Sequence, residues 1–277
     1  MTIAFAATIG HAPGWVAWAE RASEEQRANL ADAVAELREI VKAANIDRVI
    51  ILTSEHWTNF FLDHISPFCV GVGDKATGPV EPWMKMGPTD IPGDTALARR
   101  IIDSAYAHGI EPGFAYELRY DHGTMVPLKF LFPEFDVPVV PIFFNTLAAP
   151  QPSPSRCFDL GRVIGEIART SGDRIALIAT GGMSHDPGEL KHGWIDSDFD
   201  RKFLSQMEAG DVESLKAYSI ADLGAAGAGT IELIAWIALA GALQKFSGRT
   251  LAYEPVVGWA TGMGVMHLQP EHEREMA

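Results

Sequence analysis

The chain has 277 residues, enough for one large domain or two small ones, with 47% hydrophobic and 21% charged residues, the proportions of an ordinary globular protein. Its 22 basic against 36 acidic residues give a net charge of −14, which argues against a nucleic-acid partner and fits a cytoplasmic protein. Two cysteines, Cys69 and Cys157, are too few for a disulfide framework or a thiolate metal site, and read as buried thiols.

The chain alternates strands and helices. "TIAFAATIG" (2–10) reads as a buried strand, and its N-terminal context lacks the basic flank of a signal peptide. "SEEQRANLADAVAELREIVKAAN" (23–45) reads as an amphipathic helix opened by Ser23 and Gln26 at capping-box spacing. "RVIILTS" (48–54) is an unbroken β-branched strand, the pattern of a strand covered on both faces. "PFCVGVG" (67–73) is a further strand, and the Pro/Gly-rich residues 76–94 read as a long functional loop. A helix follows over 95–109, stopped by Gly109, then a short strand or loop over 114–123 that ends at His122. Residues 137–145 and 174–180 read as strands. Residues 156–172, 196–211 and 229–246 read as helices, 250–268 as a last strand or hairpin, and "EHEREM" as a charged end. The apolar run "LIAWIALAGAL" (233–243) is too short for a bilayer, which needs about 20 residues, and reads as a core helix. The alternation predicts a three-layer α/β/α sandwich with a mostly parallel or mixed sheet, in one domain spanning 1–277.

The histidines follow this pattern. His11 comes after the first strand, His56 after the second, His122 at the end of "YELRYDH", and His185 after the strand 174–180 and the turn at Gly181–Gly182. Ligands of open α/β sheets bind beyond the carboxyl ends of the strands, so four histidines are predicted to converge on one rim. The glycines let the chain turn sharply enough for His185 to face that crevice. His108 ends a helix and reads as structural. His192 and His267 stand as second-tier candidates. Glu232 sits in "AGAGTIELIAWIALAGAL", where a carboxylate is costly unless paired, metal-bound or in an exposed first turn capped by Thr230. Gly227 and Gly229 give that helix end a close approach to the crevice. Two histidines and a carboxylate without a thiolate suit non-haem Fe(II) and also catalytic zinc, and ligand type alone does not choose.

"GHAPG", "SEHW", "YDHGTMVPL", "ATGGMSHDP" and "GTIELIAWIALAGAL", in this order and over residues 3 to about 265, resemble the class III extradiol ring-cleavage dioxygenases. The nearest likeness is to the catalytic β subunit of protocatechuate 4,5-dioxygenase and to gallate-type dioxygenases. The resemblance implies an α/β/α sandwich, Fe(II) held by His11, His56 and Glu232, His185 as acid/base, and His122 as a second active-site histidine near substrate and dioxygen. It implies a small aromatic diol and O₂ as substrates. It implies ring opening beside the diol to a hydroxymuconic semialdehyde-type product. No segment corresponds to the family's small α subunit. Either a separate small chain or a second copy with the chain's own loops closes the site, the loop around Trp83 and the tail after Tyr253 being candidates. Trp15, Trp57, Phe60 and Phe61 flank the motifs as a wall for a planar ring. Arg119, Lys191, Thr261 and Ser184 are candidates for holding a substrate carboxylate. Two alternatives stand beside this reading: the same scaffold acting on an aminophenol or another diol, and a non-catalytic member that only binds a metal or partner.

Overall fold

The computed structural model describes residues 3–189 and 191–271; the tail from residue 272, with His272 and most of the charged end, lies outside the described residues. In chain order, β1 (Ile3–Ile9) is followed by a single turn, α1 (Gly14–Ala17), and by α2 (Glu24–Ala44). In α2 the Ser23–Gln26 capping box forms as expected. Its buried stripe Leu30, Ala33, Val34, Leu37 and Val41 follows the helical period. Asn45 closes the helix in the left-handed region. Next come β2 (Arg48–Ser54), β3 (Phe68–Gly71), β4 (Lys75–Gly78), β5 (Thr89–Pro92), α3 (Thr95–Ala107), β6 (Gly113–Ala115), α4 (His122–Leu131) and β7 (Val139–Phe144). Then α5 (Pro154–Thr170), β8 (Ile175–Thr180), α6 (Ser197–Ala209), α7 (Val212–Ala217), α8 (Ile220–Ala225), α9 (Leu233–Leu243), β9 (Phe246–Val256) and β10 (Thr261–Pro270) complete the chain.

The eight-stranded sheet runs β6-β3-β7-β2-β8-β1-β10-β9. β7, β2, β8 and β1 form a parallel block, while β3 and β10 run antiparallel to it. One face packs against α3, α5, α6 and α9, around Ile101, Leu160, Phe203 and Trp236. The other packs against α2 and α4, around Leu37, Val34, Met125 and Leu128. This is the expected three-layer α/β/α sandwich with a mixed sheet. Helix α9 is buried all round, which its uniform apolarity requires. Gly161 and Gly165 let α5 lie directly on its Ala238 and Ala242 carbonyls, where a methyl group would overlap backbone. Both cysteines are buried. Among the described residues no helix is long and apolar enough to cross a membrane.

Three expectations are corrected. The stretch 76–94 is not simply a loop: β4 and β5 pair antiparallel around a 3₁₀ turn at Pro82–Met84. His122 does not end a strand. It opens α4, where Asp121 caps the helix by accepting the Gly123 N–H, and Pro127 sits inside the helix and masks it in the sequence. Residues 246–270 form the hairpin, β9 and β10, of the two expected forms, and it begins at Phe246 rather than at 250. The short helices α7 and α8 add to the expected pattern.

Candidate metal centre and active site

The order β2-β8-β1 explains the convergence of three histidines. These strands are adjacent and parallel, so the loops leaving their carboxyl ends open side by side, carrying His56, His185 and His11. His122 arrives from the start of α4 instead, beside them. Ring centroids of His11 and His56 are 5.0 Å apart, and His122 lies 4.1 Å from His56 and 5.5 Å from His11. One nitrogen from each of these three rings lies within 4.8 Å of the others, a cluster able to hold a metal ion.

Glu232 enters from the other side. It ends a 3₁₀ turn, Ala228–Glu232, that leads into α9. The Thr230 capping alternative is not what forms: Thr230 donates to the Ala226 carbonyl and accepts from the His185 backbone N–H. The Glu232 carboxylate is 4% exposed and sits between the imidazoles. Oε2 is 3.1 Å from His11 Nε2 and Oε1 is 3.0 Å from His56 Nε2. His185 Nε2 stands 3.9 Å from Oε2, and the Gly182 N–H donates to Oε2 at 2.7 Å. Gly181, at φ 149°, permits this approach, since a Cβ there would stand 2.9 Å from the Glu232 Cβ.

All four rings are held from behind at Nδ1. His11 Nδ1 meets Thr180 Oγ1 at 3.0 Å, and that hydroxyl donates onward to Thr53 Oγ1. His56 Nδ1 donates to Asp121 Oδ2 at 3.0 Å, His122 Nδ1 to Glu81 Oε1 at 2.6 Å, and His185 Nδ1 to the Met183 carbonyl at 2.7 Å. Each ring therefore presents Nε2 forward, the tautomer that such partners impose on metal-binding histidines. Sequence reasoning misses Asp121 and Glu81. Asp121 is the residue immediately before His122, and its cap position is the only local signal.

This donor set fits a divalent cation. With Nδ1 carrying the hydrogen, the Nε2 lone pairs of His11 and His56 face carboxylate oxygens at about 3 Å. Acceptor then faces acceptor, an arrangement that a cation between them makes favourable. Without a cation a proton takes that place at His56: burial opposes the charged ring, yet the Asp121 and Glu232 carboxylates outweigh it and hold the ring well above its ordinary pKa. Burial would likewise lift Glu232, but His11 and His56 hold it well below the usual carboxylate range. Burial and the neighbouring His56 push His122 down.

These groups form one end of a cavity of about 650 Å³ whose wall includes Trp18, Trp57, Trp83, Leu147, Gln151 and Trp259. Of the two candidates for closing the site, the segment around Trp83 contributes Trp83 to this wall, and the chain after Tyr253 contributes Trp259, Ala260 and Thr261. The aromatic wall differs from expectation. Only Trp57 of the four expected residues lines it, with its backbone in the left-handed region at φ 56°. Trp15 packs on Phe130 and Trp259, Phe60 lies against Phe143, and Phe61 is largely exposed. Of the candidates for a substrate carboxylate, Thr261 lines the cavity, whereas Ser184 is buried and donates to Asp200. The Arg119 guanidinium donates to the Thr58 carbonyl, and Lys191 lies over Trp194. His192 lines the cavity, His267 stacks on Phe5 away from it, and His108 bonds the Ser104 carbonyl at the end of α3.

The chain was compared with known families, curated proteins and solved structures. The family model described as the catalytic LigB subunit of aromatic ring-opening dioxygenase matches residues 5–264. A 2,3-dihydroxyphenylpropionate/2,3-dihydroxicinnamic acid 1,2-dioxygenase of Klebsiella pneumoniae is 28% identical, over 86% of this chain and 90% of that protein. The protein of the same name from Escherichia coli O139:H28 is 27% identical, over 95% of this chain and 98% of its own length. The crystal structure of an uncharacterized protein from Escherichia coli K12 superposes with a TM-score of 0.61 at 16% identity, covering 94% of this chain and 98% of that one, which is a likeness of fold.

Proposed function

The chain belongs to the LigB family, the extradiol ring-cleavage dioxygenases, and from that premise we propose that it opens a catecholic ring beside its two hydroxyls, using Fe(II) and O₂. His11, His56 and Glu232 hold the metal. The observation that carries this reading is the Glu232 carboxylate set between two forward-facing Nε2 atoms. The diols acted on by the named relatives, and protocatechuate and gallate from the resemblance, share two adjacent hydroxyls, and that shared element is the substrate feature proposed for this chain.

When bound, ferrous iron supplies the spin-allowed route between a closed-shell diol and O₂. The remaining work falls to the chain's own groups. His185 Nε2 is an acceptor aimed at the centre, because Nδ1 is committed to the Met183 carbonyl. It takes the proton of one substrate hydroxyl and returns it to the opening ring, a task suited to an imidazole whose ordinary pKa lies near working pH. His122 is fixed in the same tautomer by Glu81, so its Nε2 is an acceptor beside the centre, placed to take a hydrogen bond from a substrate hydroxyl. The Trp83 turn with the Trp259 turn, both in the cavity wall, supports closure of the site by the chain's own loops.

One observation favours a second ligand set. The three-imidazole cluster of His11, His56 and His122 is tight enough to bind metal without Glu232. Loading the protein anaerobically with Fe(II), then adding catechol, protocatechuate, gallate or 2,3-dihydroxyphenylpropionate in air, tests the main reading. Oxygen uptake with a yellow ring-fission chromophore is expected. Stoichiometric iron without oxygen uptake on any diol would reduce the site to a metal-binding one.

A further inference from the structure

What hangs from the diol ring is set by the rest of the cavity wall. That wall carries four indoles, Trp18, Trp57, Trp83 and Trp259, together with Leu147 and Ile231, and it begins beside the imidazoles, Trp83 lying 6.1 Å from His122. The Trp18 and Trp83 rings stack at 5.2 Å with 17° between their planes. Trp57, Trp83 and Leu147 line the cavity and are about two-fifths exposed, at 41%, 40% and 39%. A volume of about 650 Å³ falls within the roughly 300–1,000 Å³ that drug-sized ligands fill, and one dihydroxylated ring leaves most of it empty.

Charge points the same way. Among the described residues no lysine or arginine lines the cavity, while Glu189 and Glu232 do. Two cations near the motifs in sequence are engaged elsewhere: Arg119 with the Thr58 carbonyl, Lys191 over Trp194. Arg21 lies against Trp18 but outside the lining. A carboxylate on the ring would be desolvated against indoles with no lysine or arginine in the lining, which is costly, and His192, whose Nδ1 accepts from the Gly188 N–H, is the one basic side chain there outside the motif histidines. The uncharged polar groups present, Thr146, Gln151 and Thr261, offer neutral hydrogen bonds only.

Resting on the ring-cleavage reading above, we infer that the preferred substrate is an uncharged catechol bearing a second apolar or aromatic group, seated on the Trp18–Trp83 wall. This departs from the carboxylated diols named for the relatives. The second group stacks on the indoles, and the diol is thereby aimed at the imidazole end. Specificity then comes from aromatic contact area instead of an ion pair.

The test compares 3-phenylcatechol, catechol, protocatechuate and 2,3-dihydroxyphenylpropionate with the Fe(II)-loaded protein. The expected kcat/KM for 3-phenylcatechol exceeds that for catechol by about ten-fold and those for the carboxylated rings by more. Trp83→Ala shrinks the biaryl advantage. Leu147→Arg, which adds a guanidinium to the wall, raises kcat/KM for 2,3-dihydroxyphenylpropionate relative to 3-phenylcatechol by about ten-fold. Quenching of indole fluorescence in the metal-free protein reads the same preference as binding, without turnover. Tighter binding of 3-phenylcatechol than of 2,3-dihydroxyphenylpropionate supports the inference, and equal or weaker binding overturns it. If no diol is opened but the biaryl still binds more tightly, the ring-cleavage reading falls and the aromatic preference stands.

Discussion

The imidazole and indole parts of the cavity adjoin, Trp83 lying 6.1 Å from His122, yet they are built in opposite ways. At the imidazole end every functional ring is locked by a second group: Thr180, Asp121, Glu81 or the Met183 carbonyl holds Nδ1. His11 and Glu232 are 3% and 4% exposed there. At the indole end the side chains stand on turns, Pro82–Met84 and Val257–Trp259, and are held by stacking and by one bond from Trp259 Nε1 to the Trp18 carbonyl. Chemistry needs atoms fixed to fractions of an ångström, whereas selection of a ring substituent tolerates a wall that adjusts. The strand ends supply the first property and the turns the second.

The sharpest way to break this comparison is at Glu232. Glu232→Ala removes the one carboxylate between His11 and His56, and Fe(II) affinity is expected to fall on the order of 10²-fold or more. Anaerobic iron titration of Glu232→Ala beside His122→Ala decides between the two ligand sets: iron retained by the first and lost by the second would assign the third ligand to His122. Next comes His185→Phe. It is expected to keep its iron and lose about 10²–10⁴ in kcat, the range for removing a general acid–base group. Iron loss in this variant would place His185 among the ligands.

A smaller change probes the rigidity itself. Gly229 lies against the His185 imidazole, and a Cβ there would come within 2.2 Å of Nε2. Gly229→Ala displaces the ring without altering any functional group, and kcat is expected to drop roughly 10–100-fold with iron content and melting temperature nearly preserved. Trp83→Ala at the other end is expected to change kcat little and KM more, by about ten-fold or less for a biaryl diol. Equal damage to kcat from both variants would erase the distinction between a fixed end and an adjustable one.

Much of the fixed end is legible in the sequence, and for a physical reason. Strand ends are marked by composition, so His11, His56 and His185 can be placed on one rim without knowing strand order, and adjacency of β1, β2 and β8 then brings them together. Glu232 is marked by its cost in an apolar helix. The groups that lock the rings are not legible, because Glu81 and Thr180 meet His122 and His11 across 41 and 169 residues. The indole wall is hidden for the opposite reason. Closeness in sequence to the motifs suggests Trp15, Phe60 and Phe61, but α1 and the strand loops turn Trp15 and Phe60 into packing and leave Phe61 exposed, and Trp18, Trp83 and Trp259 reach the cavity from turns.

The smallest expected effect concerns the support beneath His185. Asp200 in α6 is fully buried and accepts from the Ser184 N–H at 2.8 Å, the Ser184 hydroxyl at 2.7 Å and the Tyr253 hydroxyl at 2.7 Å. Burial lifts its carboxyl to about 6 from 3.8, with Asp196 adding repulsion, although the Tyr253 and Ser184 donors oppose the rise. The raised value means that the folded state favours the protonated form. Its contribution to stability is complete below pH 3.8 and is lost as pH rises through about 6. A rise of this size corresponds to roughly 2–3 kcal/mol over that window. Asn in its place keeps an acceptor for the Ser184 N–H and cannot ionise. Asp200→Asn is therefore expected to gain stability relative to the wild type between about pH 4 and 7, measured by denaturant unfolding at each pH. A difference that stays constant across that range would mean that the ionised carboxylate costs the fold nothing, and that the loop carrying His185 is held by its hydrogen bonds regardless of charge.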